Sequence, residues 1–185
     1  MTGRAAAIRR YGPVAQLLHW LTAAFVLLAV PVGLLMTTLE YGPAKTRIYE
    51  FHESLGLTIA ALTIFRLAWR VARPPPPHPT TLSKPLIRLI GAVHCAIYLL
   101  LLGMPVAGWL GSSAFGFPPK WFWLIQLPAL IQRSDAIGGL LLSMHSFMGY
   151  ALIALVGLHV AGVARNHLIE RDATLLRMLP GDPRP

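Results

Sequence analysis

His145 and His159 stand 14 residues apart in an apolar run from Met144 to Val160. A helix turns every 3.6 residues, so both imidazoles leave one face, ~21 Å apart along the axis. That is most of the way across a ~30 Å hydrocarbon layer. Ionisable side chains at such depths are rare, costly and, as a rule, functional. A neutral imidazole is a metal ligand, a proton carrier or a hydrogen-bond partner, and each role needs something opposite it. His19, His52 and His94 each lie near the start of another apolar run and are the candidates.

The elements that must position these rings read as four membrane spans. Span one runs from about 14 to 39, with Pro31 and Gly33 past its middle; proline is tolerated where neighbouring helices satisfy the freed carbonyl. A polar link, Glu40 to Glu50, contains the turn signal Tyr41-Gly42-Pro43. Span two covers about 51 to 71 and is followed by Pro74-Pro75-Pro76-Pro77, a stiff polyproline link. Span three covers about 85 to 110 and span four about 140 to 164, before a polar tail. Between them, 111 to 139 is broken by Gly116, Pro118, Pro119 and Pro128 and carries Trp121, Phe122 and Trp123. That composition fits an outer loop or short helix at the water–lipid boundary.

Composition agrees. Of 185 residues, 55% are hydrophobic and 12% charged, against ~25% charged in a soluble domain, so the chain reads as one compact integral membrane domain. The net charge of +9 comes from Lys and Arg at span ends rather than from a basic stripe interleaved with aromatics, which argues against nucleic-acid binding. The single cysteine, Cys95, excludes an internal disulfide, a cysteine-built metal cluster and covalent haem attachment through Cys-x-x-Cys-His. The run after Arg4, Arg9 and Arg10 is too long for a signal-peptide core and contains His19, so it is expected to be retained as a span.

Positive charge sets the orientation. The tails, the second-to-third link and the span ends beside them hold Arg4, Arg9, Arg10, Arg66, Arg70, Arg73, Lys84, Arg88, Arg165, Arg171, Arg177 and Arg184. The other two loops hold only Lys45, Arg47, Lys120 and Arg133, so both termini are expected in the cytoplasm. Span four then enters from outside, which places His145 at the depth of His52 and His159 at the depth of His19 or His94. Two facing neutral imidazoles without a carboxylate or thiolate suit the axial positions of a haem iron, whereas a bare metal ion wants more ligands. Gly56 and Gly149 follow His52 and His145 by four residues, Ala23 follows His19 by four, and Gly162 lies one turn past His159, leaving room for a flat macrocycle. Close helix packing would use small residues too. Spacing leaves His19 and His94 as rivals for His159. His78 and His167 read as solvated. Arg66, 14 residues after His52, could hold a haem propionate or snorkel to headgroups.

These residues together resemble a known family. His19-Trp20, a second-span histidine followed by glycine, His94-Cys95-Ala96-Ile97-Tyr98-Leu99-Leu100, Gly157-Leu158-His159 and the closing Thr174-Leu175-Leu176-Arg177-Met178-Leu179-Pro180 are similar in order and spacing to bacterial cytochrome b561. The resemblance implies one all-α four-helix bundle over 1–185 in the inner membrane, enclosing two non-covalent b-type haems. It implies bis-histidine ligation by His19 with His159 and by His52 with His145, with His94 beside the inner haem. It further implies electron transfer across the membrane, with superoxide oxidised on the periplasmic side and ubiquinone reduced near the cytoplasmic haem. Lys45, Arg47, Lys120 and Arg133 are then candidates for steering superoxide, and Lys84, His94, Asn166 and His167 for a quinone site. Where the family often has paired histidines, Asn166-His167 stands. Two other functions compete: an electron-relay subunit of a periplasmic dehydrogenase or hydrogenase, and a haem-free transporter with a histidine proton relay.

Overall fold

A computed structural model describes residues 10–77 and 82–181. Four long helices follow one another: α1 (Pro13–Thr38), α2 (Pro43–Ala72), α3 (Lys84–Ala114) and α4 (Asp135–Leu168). At ~1.5 Å per residue, even the 26 residues of α1 exceed the ~30 Å of a hydrocarbon core. Only 6–17% of each helix's most apolar stretch is buried within the protein, so most of the apolar surface is left for lipid. Leu27, Phe65, Leu99 and Phe147 are among the large side chains pointing outward.

Proline starts the first three helices, where its missing N–H has no intrahelical partner to lose. Ser134 caps α4, its hydroxyl accepting from the Ile137 N–H, with Asp135 favourably placed in the first turn. The helices pack α1 on α2, α2 on α3 and α3 on α4. Val26, Ala29, Leu55, Ile59, Leu101 and Leu152 form the central core.

The elements differ from the sequence expectation at their ends. The link 40–50 is mostly helix, because Pro43 opens α2 and its polar first turns lie outside the apolar stretch that marks a span. Helix α3 continues four residues past Leu110, through Gly111, Ser112, Ser113 and Ala114, all buried. A Cβ on Gly111 would lie 2.7 Å from Leu142 Cδ2, so α3 and α4 approach closely there. Helix α4 starts at Asp135 and keeps Asn166 and His167 in its last turn. The remaining loop contains a two-stranded antiparallel hairpin, β1 (Lys120–Trp121) with β2 (Ile125–Gln126), in place of a short helix. Phe122 and Trp123 have φ of 43° and 61° at its tip, a left-handed turn that a helix reading does not anticipate.

The polar tail after α4 is a strap, not a free end. It returns across the bundle to α1: Arg177 O accepts from Tyr11 N–H (3.0 Å), Met178 O from Trp20 Nε1 (2.8 Å) and Leu179 O from Gln16 Nε2 (3.1 Å). The Arg177 guanidinium donates to Pro76 O and Pro77 O, joining the polyproline link to the same knot. His78, Arg4, Arg9 and Arg184 lie outside the described residues.

Candidate functional site

The bundle brings histidines together at two depths. At the hairpin end, His52 of α2 faces His145 of α4, with ring centres 5.9 Å apart and planes at 80°. At the end where the termini meet, His159 of α4 faces His19 of α1 at 6.3 Å and 68°. His94 of α3 lies on His159 as well, at 5.0 Å and 72°. A metal–imidazole bond is about 2.0–2.1 Å and the ring centre lies on the order of 1 Å behind the nitrogen, so two axial imidazoles on one ion have centres roughly 6 Å apart. Both His52–His145 and His19–His159 match that separation; His94–His159 is about 1 Å too short. Among the described residues no group of three or more His, Cys, Asp or Glu could hold a bare metal ion.

Each ring at the hairpin end is fixed by a backbone carbonyl. His52 Nδ1 meets Ala29 O at 3.1 Å, and His145 Nδ1 meets Met104 O at 2.8 Å. A carbonyl only accepts, so each Nδ1 carries the proton and each Nε2 keeps a lone pair, the state a metal ligand requires. The carbonyls share a device. The residue four beyond each is glycine, Gly33 after Ala29 and Gly108 after Met104. A Cβ on Gly33 would lie 2.7 Å from His52 Cε1, and one on Gly108 would lie 3.1 Å from His145 Nδ1. A side chain at either position would stand where the ring lies. Neither glycine was singled out by its spacing from a histidine in sequence, since the relation crosses helices.

Between the rings lies a cleft of about 850 Å³, counted to its open side and lined by Val26, Val30, Gly56, Ile59, Leu101, Gly149 and Leu152 among others. Gly56 and Gly149, picked out by spacing, are on its wall, and a Cβ on either would meet nothing closer than 3.8 Å. An apolar cleft lined by two imidazoles with free acceptor nitrogens is the chemistry that holds a b-type haem.

The other group of rings is dressed differently. His94 Nδ1 bonds Ile90 O of its own helix at 2.8 Å. His19 Nδ1 is buried with no partner among the described residues, and so is the Thr63 hydroxyl. An unpaired buried polar group costs ~1–3 kcal/mol, and a cofactor atom is a partner this chain does not itself supply. Trp20 sits edge-on to His19 at 5.1 Å, anchored by the strap through Met178 O. Arg66 lies over Tyr98 at 5.4 Å, 14 residues and ~21 Å along α2 from His52.

The remaining candidates are less gathered. Lys84 is exposed in the first turn of α3, ten residues and ~15 Å before His94. Asn166 is buried, and His167 is half-buried, its Nδ1 buried with no partner among the described residues, rather than the solvated ring its place in the tail suggested. No hydrogen bond among the described residues joins these four. Of the four hairpin-end cations, Lys45 binds Leu39 O at 2.9 Å and Arg133 pairs with Asp135 at 3.7 Å, which offsets part of their field.

Glu53 escaped the sequence reading. It lies beside His52 and accepts from the Ser112 hydroxyl of α3, which Tyr49 also engages. Its neighbour Ser54, fully buried, accepts from Phe122 N–H at 2.8 Å and shares its own proton between Glu50 O and Lys120 O. Trp121 Nε1 donates to Thr58 Oγ1, Trp123 Nε1 donates to Glu50 Oε2, and the Trp123 ring stacks on Phe51. The hairpin is thus fastened to the turns of α2 that carry His52. Ser54→Ala is expected to leave Phe122 N–H unpaired and to weaken hairpin docking by ~1–3 kcal/mol, read as faster protease cleavage within 115–134 at unchanged helicity.

A four-span membrane protein with facing imidazoles at two depths, and an apolar cleft between one pair, has the architecture of a membrane b-type cytochrome. A family profile described as Prokaryotic cytochrome b561 matches residues 10–181, and the chain belongs to that family. It is 33% identical over 172 residues to Cytochrome b561 homolog 2 of Escherichia coli (strain K12), covering 92% of this chain and 91% of that one. It is 26% identical over 173 residues to Probable superoxide oxidase CybB of Yersinia pestis, covering 88% and 92%. Cytochrome b561 homolog 1 of E. coli is 26% identical over 183 residues, covering 94% and 98%. The protein is therefore a multi-pass inner-membrane electron-transfer protein of b-type haem.

Proposed function

We propose that this chain holds two haems, one between His52 and His145 and one between His19 and His159, and passes electrons from superoxide to ubiquinone. The observation that carries the reading is the pair of imidazole separations, 5.9 and 6.3 Å, at two depths of one bundle. Both termini are on the cytoplasmic side, so the hairpin end is periplasmic. When bound, the haems supply one-electron transfer between the two faces.

The chain's own residues do the rest. Ala29 O and Met104 O fix the tautomers of His52 and His145 and turn each Nε2 inward. The hairpin is pinned by Ser54 to the turn of α2 that carries His52. Arg47 and Lys120, with no side-chain partner among the described residues, draw in an anion. Two superoxide ions give up one electron each and leave as two O₂; one ubiquinone takes the two electrons and two protons to become ubiquinol. Lys84, His94, Asn166 and His167 are the polar groups available to a quinone at the cytoplasmic end. The 26% identity to a protein named as a superoxide oxidase supports this substrate.

The test is stopped-flow mixing of the detergent-purified chain with superoxide. Reduction of the b-type band at a near diffusion-limited rate, slowed severalfold by raising salt from 50 to about 500 mM, is the expected result. A chain that stays oxidised with superoxide and is reduced only by a partner dehydrogenase is instead a relay subunit, for which the exposed Phe117 and Leu124 would offer a docking face.

A further inference from the structure

Charge is distributed unevenly along the membrane-crossing part of this bundle, and the unevenness points one way. Helix α1 contains no lysine or arginine at all. Helix α2 has none between Arg47 and Arg66, α3 none after Arg88, and α4 none before Arg165. Within one helical turn of His52 and His145 the helices therefore carry no cation, the exposed Arg47 and Lys120 standing at the hairpin end, and the acids Glu50 and Glu53 flank His52. At the other depth stands Arg66, 14 residues and ~21 Å along α2 from His52, with its guanidinium turned inward over the Tyr98 ring of α3.

Arg66 has no carboxylate of its own. The acids among the described residues are Glu40, Glu50, Glu53, Asp135, Glu170 and Asp172. The first four lie toward the hairpin end; Glu170 pairs with Arg165, and Asp172 binds Thr174. What Arg66 does have is the Tyr98 ring. A guanidinium held within a span without a counter-ion is costly, is always charged, and does not lose that charge on burial as a lysine would. In surroundings of low dielectric a fixed positive charge stabilises any electron placed beside it, and far more than it could in water.

We infer that Arg66 sets the direction of electron flow, by making the His19–His159 site the better electron acceptor of the two. Resting on the two-haem reading, the inference adds what that reading lacks, a reason for electrons to collect at the end away from the hairpin. Arg66 is a positioning residue in this sense: it touches neither superoxide nor the reacting oxygen atoms. It acts through the potential of a neighbouring site. One electron leaves the hairpin-end site for each one gained at the other, so the ratio of the two one-electron affinities fixes the resting distribution.

The experiment is an anaerobic potentiometric titration of the purified full chain, following the reduced b-type band, in the wild type, Arg66→Gln and Arg66→Lys. The His145→Ala background, which retains only the haem of interest, assigns each midpoint. Arg66→Gln is expected to lower that midpoint by at least a tenfold change in the electron distribution, about 59 mV for a one-electron couple, and Arg66→Lys, whose ammonium can shed its proton on burial, to fall between the two. The other midpoint stays within a third of that shift. Equal midpoints in Arg66→Gln and wild type, with both haems present, overturn the inference and leave the two-haem reading standing. A chain that binds no haem takes both down together. Should Arg66→Gln shed its haem, Thr37→Arg decides: it places a cation on the wall of the His52–His145 cleft and must narrow the gap between midpoints, and an unchanged gap overturns the inference.

Discussion

If the protein holds two haems as proposed, alanine at His52 or at His145 is expected to remove one of them from the purified protein, and alanine at His19 or His159 the other. Pyridine haemochrome analysis against protein concentration reads this as a fall from about two haems per chain to about one. The effect is all-or-none because b-type haem has no covalent tether: with one axial imidazole gone, the other ligand and the apolar wall must hold it alone. His94→Ala separates the two possible partners of His159. Its ring is nearer to His159 than that of His19, 5.0 against 6.3 Å, yet its spacing is too short for opposite faces of one iron. Haem content should therefore stay near two in His94→Ala. Loss at His94 with retention at His19 would reverse the pairing.

The second large effect involves no ligand. Gly33→Val would place side-chain carbons where His52 Cε1 now lies, 2.7 Å from the nearest position a Cβ can take. The ring must then rotate away and give up Ala29 O, and with it both the tautomer and the aim of Nε2. Loss of the hairpin-end haem is expected, as complete as in His52→Ala, although every ligand remains. Gly108→Val should do the same through His145, and Gly108→Ala less, since its Cβ would be 3.1 Å from the ring. Gly91→Ala is the control. Nothing lies within 4 Å of a Cβ there, and within a helix the exchange stabilises by ~0.5–1 kcal/mol. Full haem content in Gly33→Val would show that the carbonyl contact does not orient the ligand.

Much of this site could be read along the chain because a helix converts spacing into depth. The interval between His145 and His159 and the alternation of span directions were enough to set His52 opposite the first, and His19 or His94 opposite the second. Composition located the spans, but not their ends. Ser112 and Ser113 look like loop residues by type, yet they are buried in α3, where Ser112 answers Glu53. Gly33 and Gly108 stayed invisible for a related reason: what makes each matter is a ring on another helix, 19 and 37 residues away in sequence. Glu53 was lost beside a more conspicuous neighbour. The hairpin was obscured by its aromatic residues, which suit a boundary helix as well as a turn whose two tip residues adopt positive φ.

The tie between the tail and the first helix bears on how the protein is made. Gln16 is buried and finds its acceptors on Arg177 and Leu179, more than 160 residues later. Until residues 177–179 have been made, the base of α1 has polar groups without these partners, while the helices that precede them can already enter lipid. Closure of the knot that joins Tyr11, Pro77 and Met178 is thus a step that follows synthesis of α4. A protein shortened after Leu168 would still insert, but its Trp20 would lose the anchor that holds it against His19, and cofactor loading at that end would be the stage of assembly to suffer.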